Sequence, residues 1–409
     1  MMRCHFDEDF KNGIAGWYFP KEIIKEAYRR SGMLMLDMEF GETCSLNCDY
    51  CFRTDDIRER ISRARPNSKA LTSNDVINIV DQAEEMGTVK SIHFVGKGEC
   101  LEQEGFLEIV HHINEKEMIP LIFTAGHVLG DDTLARDKQH GMTGTEIVND
   151  LYESNASIIL KINSINERVQ NEVVRRDSFP NEDGTERKFN YTRSRDEALE
   201  RLIHRGFNKL EHNPTRLGTA SVILKSNYSE LFHHYRYFRS LNIYPIINTV
   251  VPCGRTRDMT KVNEMSPSAK EKIELWKKIY SYNVENGIKY EGISSYVGGH
   301  VCSQLGYGMY INVFGEAFDC PSSTRKSIGN VKFNGNDGHK ISELWNKAHY
   351  KKICHGCLDN GCPWRFLYSP AMIPRKLFKE VHEYLKDKYP TDENVKNFVP
   401  DAFMRQYYE

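Results

Sequence analysis

From Met33 onward the chain alternates short apolar runs with amphipathic ones. The run MLMLDMEF (33–40) is almost unbroken in apolar residues and stops at Gly41, the pattern of a strand buried on both faces. The stretch SNDVINIVDQAEEMG then spaces Val76, Ile77, Ile79 and Val80 as a helix face, with Ser73 in the N-cap position and Gly87 at the stop. The alternation repeats. Further strands are expected at 89–95, 119–125, 156–162, 218–224 and 244–251, and helices in GFLEIVHHINEKEM, TGTEIVNDLYESN, RDEALERLIHRGF and YSELFHHYRYFRSL. Six such units predict an α/β fold with a parallel sheet and right-handed crossovers. A partial barrel and an open doubly wound sheet both meet this pattern, and in both ligands bind at the carboxyl ends of the strands.

The flanking segments read differently. Residues 1–33 are expected as an N-terminal cover and 34–260 as the parallel unit. Within that unit, 174–195 is polar and aperiodic: a long inserted loop, either a lid over the site or a surface excursion. SPSAKEKIELWKKIYSYNVENG supplies a connecting helix within 261–295. Residues 296–366 form a small cysteine-rich domain, in which YINVFGEAFDC predicts a β-hairpin turning at Gly315 and ISELWNKAHYKKI a helix. A helical tail, 367–409, completes the chain, its charges forming a solvated face.

Over 409 residues, 55 Lys and Arg against 57 Asp and Glu leave a net charge of −2. That balance excludes a generic nucleic-acid binder, though not a local basic groove. The start MMRCHFDEDFKNG lacks the apolar core of a signal peptide, and no uncharged apolar run approaches the ~20 residues of a membrane span, so no membrane association and a cytoplasmic location are expected. The cysteines change the picture most. There are eleven, an odd number that argues for metal or catalytic use over a disulfide framework in a cytosolic chain. Eight fall in three groups: Cys44, Cys48 and Cys51 as C-x3-C-x2-C, Cys302 and Cys320 around GYGMYINVFGEAFD, and Cys354, Cys357 and Cys362 as C-x2-C-x4-C.

Cys44, Cys48 and Cys51 lie in the loop after the first strand, at the carboxyl edge of the sheet. Three thiolates leave a tetrahedral zinc site one ligand short. They suit three irons of a [4Fe-4S] cluster, whose fourth iron stays open to an amine and a carboxylate. The segment C-S-L-N-C-D-Y-C, with aromatic Tyr50 before Cys51, resembles the C-x3-C-x-aromatic-C signature of the radical S-adenosylmethionine (radical SAM) superfamily, and the resemblance extends over roughly 34–260. It implies a partial (β/α)6 barrel, S-adenosylmethionine as cofactor, and reductive cleavage of its sulfonium to a 5′-deoxyadenosyl radical.

Further residues follow from the resemblance. Gly96-Lys97-Gly98-Glu99-Cys100 stands where the family has Gly-Gly-Glu-Pro. Gly96 and Gly98 then allow close backbone approach, Glu99 accepts from the cofactor's ammonium, and Cys100 replaces the Pro. Thr124-Ala125-Gly126 resembles the family's Thr-Asn-Gly. LKINSINERVQNEV is similar to a segment that often contacts the methionine carboxylate and ribose, which makes Lys161, Asn163 and Ser164 candidates, against a role as polar caps of a strand-end loop; Arg193 in TRSRDEAL is a further carboxylate candidate.

The spacing of Cys302, Cys320, Cys354 and Cys357 is similar to the twitch pattern, the shorter relative of the superfamily's SPASM accessory domains. It implies one auxiliary [4Fe-4S] cluster ligated by these four. Cys362 is a spare or takes the place of one of them, and zinc is the alternative metal for the pairs. A fully ligated cluster suits electron transfer. Cys253, in VPCGRTRD, and Cys100 fall at the catalytic edge, where a thiol donates a hydrogen atom to a substrate radical or fills space as a small hydrophobe.

Together these readings imply a radical SAM oxidoreductase acting on a small metabolite or sugar-like alcohol or amine. The residual electron leaves through the auxiliary cluster, and a flavodoxin- or ferredoxin-type protein supplies the reducing electron. Two alternatives stand beside it: a maturase of ribosomally made peptides, and a zinc-stapled binding protein without catalysis. About 33 residues precede the first core strand, too few for the peptide-recognition domain that many maturases carry.

Overall fold

The computed structural model describes residues 13–54, 69–180, 185–212, 214–288, 290, 293, 304–321, 327–332, 338–354 and 376–398. Its strands in chain order are β1 (Met35–Met38), β2 (Ser91–Phe94), β3 (Ile119–Thr124), β4 (Ser157–Lys161), the short pair β5 (Ser178–Pro180) and β6 (Glu186–Lys188), then β7 (Leu217–Val222), β8 (Tyr244–Asn248), β9 (Gly308–Ile311), β10 (Glu316–Phe318) and β11 (Gly329–Asn330). The six expected parallel strands are β1, β2, β3, β4, β7 and β8, and they lie side by side in sequence order. Each new strand adds to the same edge. With crossovers of one hand, the helices all cover one face and the other is left to line a cavity, whereas a doubly wound sheet reverses direction at a switch point. The architecture is therefore the partial barrel.

The strands are buried on both faces, as their unbroken apolar runs require. Leu36, Ile92, Ile122 and Ile158 join the core beneath the helices. Their neighbours Asp37, His93, Phe123 and Ile159 face the cavity.

A seventh parallel strand comes from outside the expected unit. β9, the first half of the expected hairpin, pairs in parallel with β1 from Met35↔Gly308 to Met38↔Ile311. β10 folds back on it around Gly315, whose φ is +77°, and β11 pairs with β10. The helix Ile341–Cys354 then packs on the first crossover helix, Ser73–Glu85. Its Ile341, Leu344, Trp345 and Ala348 enter the same core as Leu36 and Val80. Among the described residues, the hairpin and helix expected within a separate region at 296–366 thus extend the main sheet and core. Periodicity marks GMYI as a strand but carries no record of which sheet edge it joins.

Two local expectations change. The cap of Ser73–Glu85 is Thr72, not Ser73: the Thr72 hydroxyl accepts from the Asp75 N–H (3.2 Å), and the Asp75 carboxylate accepts from the Thr72 N–H (2.9 Å). Only that register puts an acid at the third helical position and completes a capping box. The 174–195 segment is not an unstructured loop among its described residues. It carries the β5–β6 hairpin, and the next helix starts already at Tyr191. Phe179, Phe189 and Tyr191 pin it against Leu46 of the cysteine loop. Three aromatics without helical or strand spacing left no periodic signal.

The N-terminal segment closes the amino end of the barrel, with Ile14 bridging to Thr215 and the Trp17 ring 5.5 Å from Phe123. The tail helix Leu377–Lys388 buries Leu377, Phe378, Val381 and Leu385 against the helix Ala269–Glu285. No helix of the described residues is long and apolar enough to cross a membrane.

Candidate active site

The carboxyl ends of the parallel strands open into a cavity of about 320 Å³. Its wall takes Cys44, Cys48 and Cys51 from the loop after β1, Gly96 to Cys100 from the loop after β2, Thr124 and Ala125 after β3, and Lys161 at the end of β4. Thr249, Val250 and Val251 follow from the end of β8, and Cys320 from the end of the β9–β10 hairpin.

The cysteine loop is held by side chains that do not depend on its sulfurs. Arg255 donates from Nη1 to the Cys48 carbonyl and from its backbone N–H to the Cys51 carbonyl, each at 3.0 Å. Gly254 permits this clasp: its φ is +58°, and a Cβ there would sit 2.5 Å from the Phe52 backbone. Ser45 is bound by the Glu102 carboxylate through its N–H (3.0 Å) and its hydroxyl, and Glu102 in turn meets buried His127 Nε2 at 2.6 Å. On the far side Arg53, only 1% exposed, pairs with Glu39. Glu39 also accepts the backbone N–H of Lys97 (2.9 Å) and of Val313 (3.0 Å). One carboxylate thereby joins the cysteine loop, the glycine-rich loop and the hairpin. Burial pushes the Glu39 carboxyl up, but the charge and hydrogen bond of Arg53 outweigh it and hold it below its ordinary value.

The thiols are electrostatically unsettled without a metal. Burial, and then the neighbouring Cys51, push the Cys48 thiol up to about 11, against the pull of the Tyr50 hydroxyl, Lys161 and Arg255. Cys44 is the exposed member of the triad, yet the protein around the cavity desolvates its thiol, and with Glu102 and Glu99 nearby it too is raised. Thiols that oppose one another's ionisation become compatible as thiolates only with positive charge between them, which iron supplies while displacing their protons. The Thr54 hydroxyl (3.0 Å) and N–H (3.4 Å) donate to Cys51 Sγ, a contact that suits a metal-bound thiolate. Among the described residues no group of three or more His, Cys, Asp or Glu side chains is gathered about a single point. The residues present fit a cluster held by three thiolates.

Beside the triad, Glu99 is buried and accepts from the Thr124 hydroxyl (2.7 Å) and the Ala125 N–H (2.8 Å). Burial raises its carboxyl above the ordinary value; Oε1 also accepts the Leu101 N–H at 3.5 Å, and Oε2 keeps a lone pair for a further donor. Gly96 and Gly98 both have positive φ, +141° and +81°. A Cβ at Gly98 would lie 2.6 Å from the Gly41 carbonyl, so the protein's own backbone, besides any ligand, requires glycine. Gly98→Ala is expected to destabilise the fold by about 1–3 kcal/mol, because neither the left-handed conformation nor the carbonyl contact relaxes cheaply. Denaturant unfolding of the metal-free protein measures it, and an unchanged midpoint would refute this account of the loop.

The remaining candidates separate. Lys161 lies on the wall with its ammonium 4.9 Å from the centre of the Tyr50 ring, and burial lowers it to about 8, against the opposing influence of Cys48 and Cys51. Asn163 and Ser164 are fully buried and off the wall. Asn163 donates to the Tyr50 hydroxyl (2.7 Å) and accepts from the Val222 N–H (2.9 Å), and Ser164 caps its own loop at Asn166. Arg193 begins the helix Tyr191–Arg205 on its exposed side, away from the cavity. Cys100 lines the wall, whereas Cys253 sits behind the cysteine loop and outside the lining. Of the expected auxiliary ligands, Cys320 is buried on the wall and Cys354 ends the helix Ile341–Cys354, while Cys302, Cys357 and Cys362 lie outside the described residues. Sequence reasoning missed Glu39, Arg53, Asp37 and His93. The signal was available: Asp37 and Glu39 are acids inside an otherwise apolar strand.

Comparisons with known proteins agree with this geometry. A family model described as the Radical SAM superfamily matches residues 38–238. Among solved structures, Streptococcus suis SuiB bound to the precursor peptide SuiA superposes with a TM-score of 0.53 and 14% identity, covering 88% of this chain and 79% of that one. SuiB bound to S-adenosylmethionine gives a TM-score of 0.50 and 13% identity over 88% of this chain and 81% of that one. At such identities the likeness is one of fold. A comparison with curated protein sequences found no match. The match implies S-adenosylmethionine and a [4Fe-4S] cluster as cofactors, and the triad, the glycine-rich loop and the partial barrel agree with it: residues 38–238 of this chain form a radical SAM superfamily domain.

Proposed function

We propose that the protein is a radical SAM oxidoreductase that removes hydrogen from a small alcohol or amine and passes the leftover electron to an auxiliary [4Fe-4S] cluster. The observation that carries this reading is the position of Cys320 on the wall of the cavity that also holds Cys44, Cys48 and Cys51. A second cluster ligated there, with Cys302, Cys354 and Cys357 as its other ligands, would share that cavity with the triad. Cys362 stands in reserve for one of these positions. When bound, the triad's cluster and S-adenosylmethionine supply a 5′-deoxyadenosyl radical.

The chain's own residues do the rest. Cys44, Cys48 and Cys51 hold three irons, and Glu99 receives the methionine ammonium. The β5–β6 hairpin and the apolar wall of Phe40, Phe94 and Val250 keep water out. A flavodoxin- or ferredoxin-type donor supplies the reducing electron. Cys100 is the thiol best placed to return a hydrogen atom, which would turn oxidation into epimerisation; deuterium from heavy water appearing at the product carbon would reveal that outcome.

Anaerobic reconstitution tests the two-cluster assignment. About eight irons per chain are expected, falling to about four in Cys320→Ala with S-adenosylmethionine cleavage retained. Four irons in the unaltered protein would remove the auxiliary cluster from the proposal. Peptide modification is a second reading, favoured by the likeness in fold to SuiB, which was solved with a precursor peptide. Fold alone is a weak guide to chemistry. Crosslinked or epimerised peptide, without any oxidised small molecule, would favour it.

A further inference from the structure

We propose that Asp37, held in place by His93, is the group on the cavity floor that binds the substrate's O–H or N–H and accepts its proton; this rests on the oxidative reading above. Asp37 and His93 are register partners on β1 and β2, and both line the cavity. Asp37 Oδ1 lies 2.9 Å from His93 Nδ1. His93 Nε2 lies 2.8 Å from both the Gly16 carbonyl and the Ser91 hydroxyl, and Ser91 donates its own proton to that carbonyl at 2.6 Å. Both partners of Nε2 are therefore acceptors, so Nε2 carries a proton and the ring orientation is fixed; the Nδ1–Oδ1 contact needs a second proton on Nδ1, donated to the Asp37 carboxylate. The left-handed φ of Gly16, +88°, belongs to the turn that brings this carbonyl to the ring.

Folding does not account for the pair. The strand positions around it are apolar, Phe123, Ile159, Ala220 and Ile246, and an apolar pair would fill the floor without desolvating a carboxylate. The other wall carboxylates have other tasks: Glu39 pairs with Arg53 and accepts two backbone N–H groups, and Glu99, held by Thr124 and Ala125, is the one assigned to the methionine ammonium. Among the described residues His93 is the sole side-chain partner of Asp37, which leaves Oδ2 for a ligand.

The reaction needs such a group. In converting H–C–X–H to C=X, where X is O or N, one hydrogen leaves carbon as an atom to the adenosyl radical and gives 5′-deoxyadenosine. The X–H bond then breaks, its proton passes to Asp37 Oδ2, and one electron remains, which the auxiliary cluster of the proposed function would take up. The substrate is thereby narrowed to an alcohol or amine whose hydrogen-bearing carbon reaches the cavity centre while its polar group reaches the floor, between Trp17 and Phe123.

Two readouts test this. In protein labelled with 15N-histidine, the His93 imidazole signals, assigned through His93→Gln, are expected to shift on addition of 2-amino-1,3-propanediol and to stay unmoved in Asp37→Asn. In turnover with S-adenosylmethionine, a chemical reductant and a pool of small polyols and amino alcohols, 5′-deoxyadenosine and oxidised product are both measured for Asp37→Asn and the unaltered enzyme. The variant's oxidised product per 5′-deoxyadenosine should fall by about 100-fold or more, the scale of a lost general base, with partial recovery in Asp37→Glu. An unmoved His93 signal in the unaltered protein, or an undiminished product ratio in Asp37→Asn, overturns the proposal. Failure of the unaltered enzyme to form 5′-deoxyadenosine counts against the oxidative reading instead, and the His93 shift then decides the binding role alone.

Discussion

Replacing Cys44, Cys48 and Cys51 together by Ala is expected to abolish reductive cleavage of S-adenosylmethionine, to below about one part in a thousand of the unaltered rate, and to remove about four irons per chain. The electron can reach the sulfonium only from a metal beside it, and no other group of the described residues gathers three thiols on this cavity wall. The fold should survive. Arg255 grips the Cys48 and Cys51 carbonyls, and Glu102 grips Ser45, without using a sulfur. Loss of neighbouring thiols that resist ionisation costs the metal-free protein nothing. Anaerobic iron and sulfide analysis, chromatographic detection of 5′-deoxyadenosine and thermal unfolding of the metal-free protein check the three parts. Persistent cleavage in the triple variant would show that the site assignment is wrong.

Arg53→Met is expected to destabilise the protein by about 3–5 kcal/mol at neutral pH, since it strands a buried carboxylate. Without the guanidinium, which also lies 5.4 Å from the centre of the Tyr310 ring, Glu39 would keep the Lys97 and Val313 N–H groups and the Tyr310 hydroxyl as partners. The pH dependence carries the sign. In the unaltered protein the folded Glu39 sits below its ordinary value, so its contribution is present above the unfolded carboxylate range and is lost as pH falls through the folded value. In Arg53→Met burial would raise the folded value instead. The folded state would then bind the extra proton, and the deficit should shrink between pH 7 and pH 5. Urea unfolding at both pH values measures this. A double variant, Glu39→Met with Arg53→Met, should lie closer to the unaltered protein than either single change, and additive losses would refute the pairing. Because Glu39 joins three loops, Arg53→Met should also assemble the triad's cluster poorly.

The legible parts of the site share one property: their information is local. C-S-L-N-C-D-Y-C and Gly-Lys-Gly-Glu each hold their chemistry within eight residues, and strand–helix alternation fixed which end of the sheet they occupy. Asn163 shows the limit. Its place after β4 was read correctly, but its amide is spent on Tyr50 and Val222, partners 113 and 59 residues away. Arg193 and Ser73 show a second limit, since one or two residues of phase on a helix decide whether a side chain faces a cavity, solvent or a cap.

By itself the sequence determined the α/β class, the six parallel strands, the triad and the glycine-rich loop, because hydrophobic period and short-range spacing are properties of contiguous residues. Only the tertiary structure decided that the sheet winds in one direction, that β9 joins it beside β1, that Cys320 shares the cavity with the triad, and that Asp37 meets His93 on its floor. Each is a choice of partner between distant segments. Such choices are set by which edges and faces remain to be buried once the local elements have formed, and no period along the chain encodes them.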